Sequence, residues 1–135
     1  MSKSLHTEGY EISTDKSRLQ FDVIQGFLSQ TYWSPGIPPE IVRRSAENSL
    51  CFGIYKKDTQ VGYARIISDY TTFAYLADVF VLESERGKGL SKWLMETIKQ
   101  HPDLQGLRRW MLITKDAHTL YSQFGFELAN NPGNP

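Results

Sequence analysis

An apolar run that ends in a glycine-spaced basic turn constrains this chain more than any other feature. It reads Asp78-Val-Phe-Val-Leu-Glu-Ser-Glu-Arg86-Gly87-Lys88-Gly89-Leu90-Ser91-Lys92-Trp93-Leu94-Met95. Beyond the turn, Leu90, Trp93, Leu94 and Ile98 fall at i, i+3, i+4 and i+8. That is the buried stripe of an amphipathic helix, and His101-Pro102 ends it. A helix opening here leaves its first N–H groups without intrahelical acceptors and puts the positive end of its dipole at the turn, so an anion is favoured there. Gly87 and Gly89 let a ligand approach the backbone, while Arg86, Lys88 and Lys92 surround the turn with positive charge. A diphosphate suits this arrangement better than a lone carboxylate, which points to a nucleotide-like cofactor.

Two familiar glycine-rich loops are excluded by spacing. A dinucleotide fingerprint needs a third glycine three residues after Gly89, and Lys92 stands there. The triphosphate-binding loop G-x-x-x-x-G-K-S/T occurs nowhere in the chain.

The remaining pattern predicts alternating sheet and helix. Tyr10 to Thr14 reads as a short first strand, and polar residues through Ser17 are expected to cap a helix near 18 to 31. Phe21, Ile24, Phe27 and Leu28 give that helix one apolar stripe despite Gly26. Tyr32-Trp33-Ser-Pro-Gly-Ile-Pro-Pro breaks it, and the prolines mark the start of a second short helix from Glu40. Leu50 to Tyr55, Val61 to Ser68 and Thr72 to Leu82 read as an antiparallel meander, rich in β-branched and aromatic residues. A strand-like Arg109-Trp-Met-Leu-Ile-Thr114 after the cradle helix completes a crossover to a parallel neighbour. The expected fold is an α/β domain with a mixed, mainly antiparallel sheet and helices on both faces.

With 135 residues, 40% apolar and 22% charged, the chain fits one domain spanning 1 to 135, with 130 to 135 as a frayed tail. Fifteen basic and fifteen acidic residues cancel, which argues against nucleic acid or an anionic membrane as partner. Cys51 is the only cysteine, so no intrachain disulfide or cysteine-built metal site is expected, and its apolar neighbours place it in the core. No run approaches the roughly 20 apolar residues of a membrane span. The N-terminus lacks a signal-peptide core, and a cytoplasmic setting is the expectation.

The pattern R/Q-x-x-G-x-G/A, here Arg86-Gly87-Lys88-Gly89-Leu90-Ser91, resembles the acetyl-coenzyme A signature of the GNAT family of N-acetyltransferases. Ser91 departs from the usual Gly or Ala but is small and keeps its N–H. Downstream, Leu120-Tyr121-Ser-Gln-Phe124-Gly125-Phe126 resembles the end of that family's last helix, Y-x-x-x-G-F, in the expected order and separation. The resemblance implies a GNAT-like fold in which the strand before the cradle splays from the strand after its helix. It implies that the main chain of Val79, Phe80 and Val81 holds the pantetheine of acetyl-CoA, and that the turn Arg86, Gly87, Lys88, Gly89, Leu90, Ser91 and Lys92 holds its diphosphate. Side chains at 79 to 81 are expected to be mostly core.

The reaction implied is attack of a neutral amine on the thioester carbonyl, with no metal and no covalent enzyme intermediate. The motif assigns Tyr121 as general acid to the departing thiolate. Asp78, an unusual charge in an apolar run, is either the group that receives or orients the amine or a structural hydrogen-bonding carboxylate. His118 lies three residues before Tyr121 and is the other candidate on the acceptor side, and a water relay without a dedicated base is the third reading. Tyr32 and Trp33 fall in a flap expected to shape the acceptor pocket. The acceptor is a small-molecule or peptide amine that no motif specifies, and a homodimer is compatible with this reading. The competing reading is a catalytically silent acyl-CoA-binding sensor or interaction module.

Overall fold

The computed structural model describes residues 8–112 and, as backbone, 127–128. Strands β1 (Tyr10–Ser13), β2 (Leu50–Lys56), β3 (Thr59–Ser68), β4 (Phe73–Val81), β5 (Arg109–Leu112) and β6 (Glu127–Leu128) form one sheet in sequential order. β1 to β4 pair antiparallel, whereas β4–β5 and β5–β6 are parallel. Helices α1 (Phe21–Leu28) and α2 (Pro39–Glu47) precede β2, and α3 (Leu90–Gln100) crosses from β4 to β5. The mixed, mainly antiparallel sheet expected from the sequence is therefore present.

Each sheet face carries its own apolar cluster. On one side Trp93, Leu94, Met95 and Ile98 of α3 pack against Phe52, Ile54, Ile66 and Leu76. On the other, Ile24 and Leu28 of α1 and Val42 and Ala46 of α2 cover Cys51, Tyr63 and Phe80. Cys51 is thus a core residue, as expected. Its thiol lies 3.3 Å from the Tyr63 hydroxyl, and burial raises the pKa of both groups. Fully burying a side chain such as Ile98 is worth about 2 kcal/mol, so these stripes dominate the packing of the helices.

Helix α1 is shorter than the 18 to 31 expected. Asp15, one of the polar residues expected to cap, caps only a single 3-10 turn at Lys16–Arg18, accepting from the Ser17 N–H at 2.9 Å. Gln20 stays extended because it interlocks with the fully buried Gln60. The Gln20 N–H donates to Gln60 Oε1 at 2.8 Å, and the Gln60 N–H donates to Gln20 Oε1 at 3.1 Å. Pro38 and Pro39 open α2 as the sequence indicated, since a proline at the first helical positions loses no intrahelical bond. In β2, any side chain at Gly53 would collide with the Tyr55 hydroxyl, so the ring lies across the glycine, and the Arg18 guanidinium covers that ring at 4.2 Å.

Candidate active site

The site is organised by a bulge in β4. Tyr63 pairs with Phe80 and Arg65 with Ala77, so the single residue Ala64 spans Asp78 and Val79. Asp78 takes the left-handed conformation, φ 54°, which an aspartate adopts more readily than a β-branched residue. The extra residue reverses the alternation of the strand. Before it, Ala74 and Leu76 face the α3 side. After it, Val79 and Val81 do, while Phe80 turns to the α1–α2 side and stacks on Phe27 at 4.1 Å. The side chains of 79 to 81 are buried or half-buried, leaving main-chain groups as what this segment offers a ligand. Among the described residues β5 pairs with β4 only from Phe73 to Leu76.

Beyond Val81 the chain turns through Glu83–Glu85 into the glycine-spaced turn 86 to 89. Gly89 is the N-cap of α3 at φ 84°, ψ 12°, with no side-chain cap and no acidic residue in the first turn. Gly87, at φ 81°, faces open space. An uncapped, acid-free terminus of an eleven-residue helix fits a phosphate group. Two of the expected cations are already engaged. Arg86 Nε donates to the Val81 carbonyl at 3.0 Å, tying the turn to the end of β4. Lys88 Nζ donates to the Tyr10 hydroxyl at 2.9 Å and to Glu85 Oε1 at 3.2 Å, and the Tyr10 hydroxyl donates a short hydrogen bond to the same Glu85 oxygen. That hydroxyl, then Lys88, holds the Glu85 carboxyl below the usual carboxylate range, and both partners raise the Lys88 pKa. Lys92 and Gly87 are exposed, Ser91 is half-buried and Leu90 is buried.

On the opposite side of the bulge lies a cavity of about 530 Å³. Tyr32 and Trp33, edge to face at 5.1 Å, form one wall with Ile37 and Ile41, and Arg65, Tyr75, Asp78, Val79 and Leu112 line the sheet side. Asp78 is the hub. Its Oδ2 accepts from Arg65 Nε at 2.8 Å and its Oδ1 from Trp33 Nε1 at 3.2 Å, while Arg65 Nη1 donates to Ser49 Oγ at 3.1 Å. The two ion-paired side chains are only 16% and 10% exposed, so the carboxylate and guanidinium hold each other in place at the cavity floor.

The structure therefore gathers Tyr32, Trp33, Asp78 and Val79 around one cavity and sets the turn 86 to 92 at the far end of the same strand. Tyr121 and His118 lie outside the described residues. Arg65 and Ser49 were not anticipated. Arg65 did carry a signal, being a charge inside the apolar run Val61 to Ser68, as Asp78 is within its own run. No group of metal-ligating side chains occurs among the described residues. Nor is any described helix long and apolar enough to cross a membrane.

A bulged strand thus runs into an uncapped helix terminus, with a cavity beside the bulge. The family model for the acetyltransferase (GNAT) family matches residues 17–126, and the chain belongs to that family. The protein FG08082 of Gibberella zeae, which bears an acetyltransferase name, is 33% identical over 137 residues, covering 84% of this chain and 76% of its own length. A crystal structure of a GNAT-family protein from Xanthomonas campestris pv. campestris is 50% identical, with TM-score 0.86 over 93% of this chain and 89% of that one. AAC(6')-Iy, solved with a CoA-based bisubstrate analogue, shares the fold at TM-score 0.64 and 20% identity, over 90% of this chain and 93% of that one.

Proposed function

We propose that this chain transfers an acetyl group from acetyl-CoA to a primary amine by direct attack in a ternary complex. The observation that carries the reading is the position of the β4 bulge between two sites. The acceptor cavity opens at Asp78 and Val79, and the strand leads from there to the uncapped terminus at Gly89. In this reading the N–H groups at the start of α3 hold the diphosphate, and the main chain of Val79, Phe80 and Val81 pairs with the pantetheine amides. Acetyl-CoA, once bound, supplies the activated acetyl group as a thioester. The amine nitrogen forms the new C–N bond as the C–S bond breaks. One amine proton leaves toward solvent or a base, and Tyr121 gives its hydroxyl proton to the thiolate sulfur.

Asp78 serves in this scheme to orient the acceptor, because both its oxygens already accept hydrogen bonds and one holds Trp33 over the cavity. Tyr32 and Trp33 supply aromatic faces to the incoming ammonium before it is deprotonated. His118 completes the acceptor side. The reading places the protein in the cytoplasm, where its one cysteine stays a thiol.

Amine-dependent thiol release from acetyl-CoA, followed together with product mass, tests the proposal. Wild-type protein should release one thiol per acetylated amine, and Tyr121→Phe should lower kcat at least tenfold with little change in acetyl-CoA affinity. Acetyl-CoA binding that survives while no amine in a broad panel releases thiol would favour the silent binding module instead.

A further inference from the structure

The acceptor cavity does not end at Arg65. A second hollow of about 440 Å³ continues from it along α2, sharing Ile41, Ser45, Arg65 and Ile67, and its outer end is formed by Arg44 and Asn48. The charges along this groove are ordered. At the bulge the aromatic faces of Tyr32 and Trp33 favour a cation, beside an Asp78 carboxylate that Arg65 already pairs. In the outer hollow every charged lining residue is an arginine. Arg65 is balanced by Asp78, which leaves the exposed Arg44 as an excess positive charge, with the Asn48 amide beside it.

Between the two ends Ile41 and Ile67 give the groove an apolar strip beside Arg65 and Ser45. Four of the five large apolar side chains that stand exposed among the described residues, Tyr32, Trp33, Ile41 and Ile67, line it. Such a patch around a cavity marks contact with a ligand more readily than with water. The β3 residue Ile67 and the α2 residue Ile41 occupy the stretch where both hollows meet.

We infer that the acceptor is a bipolar molecule, with a primary amine at one end, an apolar stem, and a carboxylate or phosphate at the other that Arg44 and Asn48 receive. This rests on the transferase reading for the fate of the amine, but the anion-receiving end can be tested by binding alone. An arginine offers a carboxylate or phosphate a forked pair of donors, and a partly exposed contact of that kind changes affinity by roughly tenfold. Arg44 is thus assigned as a specificity residue, remote from the reacting atoms.

Four probes of similar length decide the matter on the full chain with CoA present: ε-aminocaproate, aminohexyl phosphate, hexylamine and hexamethylenediamine. Titration calorimetry should show one or both anionic probes binding roughly tenfold tighter than hexylamine, with the diamine weakest. The anionic probe that binds better identifies the anion. Arg44→Glu, an exposed change whose folding is checked by circular dichroism, should invert the order of ε-aminocaproate and the diamine, and Arg44→Gln should abolish the preference. Hexylamine binding as tightly as both anionic probes, no binding by any probe, or an order unchanged in Arg44→Glu would overturn the inference. Thiol release from acetyl-CoA is followed in parallel. The predicted order without turnover of any probe would sustain the anion end and remove the transferase reading. Turnover with hexylamine preferred would do the reverse.

Discussion

Trp33 Nε1 donates to Asp78 Oδ1 at 3.2 Å, fastening the loop after α1 to the bulge of β4 across 45 residues of sequence. Because the other Asp78 oxygen is held by Arg65 at 2.8 Å, one carboxylate joins the cavity wall, the sheet and the bulge. The loop's position over the cavity is therefore coupled to the conformation of the strand that the cofactor is proposed to line.

Asp78→Asn should destabilise the protein by about 3 kcal/mol, since the mostly buried Arg65 guanidinium loses its counter-charge. Urea unfolding measures this. A loss under about 0.5 kcal/mol would mean that solvent replaces the pair without cost.

Trp33→Phe keeps the apolar wall and removes only the donor. Acceptor KM should rise several-fold while stability changes by less than about 1 kcal/mol, because the bond is exposed. An unchanged KM would assign Trp33 to anchoring the loop alone.

Tyr10→Phe removes the group that contributes most to lowering the Glu85 pKa. A depressed carboxyl stabilises the fold above its unfolded pKa of about 4.3 and loses that contribution as pH falls through the folded value. The Tm difference between wild type and Tyr10→Phe should therefore be full at pH near 7 and shrink below about 4. A difference constant across that range would separate Tyr10 from Glu85 energetically.

Tyr55 is buried, its hydroxyl has no hydrogen-bond partner among the described residues, and burial pushes its pKa up to about 12. Its folded pKa is raised, so its contribution is complete below the unfolded value of about 10 and is lost as pH climbs through the folded one. Tyr55→Phe should match wild-type stability at neutral pH or exceed it by up to about 1 kcal/mol, seen as an equal or higher Tm, and should lose less stability than wild type above about pH 10. A lower neutral Tm would reveal a partner for the hydroxyl.

Local signals made α3, the prolines opening α2 and the strands of the meander legible, since each rests on periodicity or turn chemistry within a few residues. The turn at Gly87 and Gly89 was legible because its glycines and its helix are contiguous. The bulge was not, because it sets two residues of β4, Asp78 and Val79, against the single Ala64 of β3 and appears only when Tyr63 faces Phe80 and Arg65 faces Ala77. The pairing of Arg65 with Asp78 depends on that register. The late start of α1 was equally hidden, as Gln20 is held by a glutamine 40 residues away. For Arg86 and Lys88, composition showed charge near the turn but could not show the Val81 carbonyl and the Tyr10–Glu85 pair that engage them.

The central claim is that the turn at Gly87 to Lys92 receives the diphosphate of acetyl-CoA, and calorimetric titration of acetyl-CoA into wild type and Gly89→Val tests it most directly. Gly89 sits at φ 84°, where a β-branched residue is strained and its side chain obstructs the helix terminus. Wild type should bind acetyl-CoA selectively over NAD and ATP, and the variant, provided it remains folded, should bind at least tenfold more weakly. Equal affinity in both proteins, or no binding by wild type, would contradict the account.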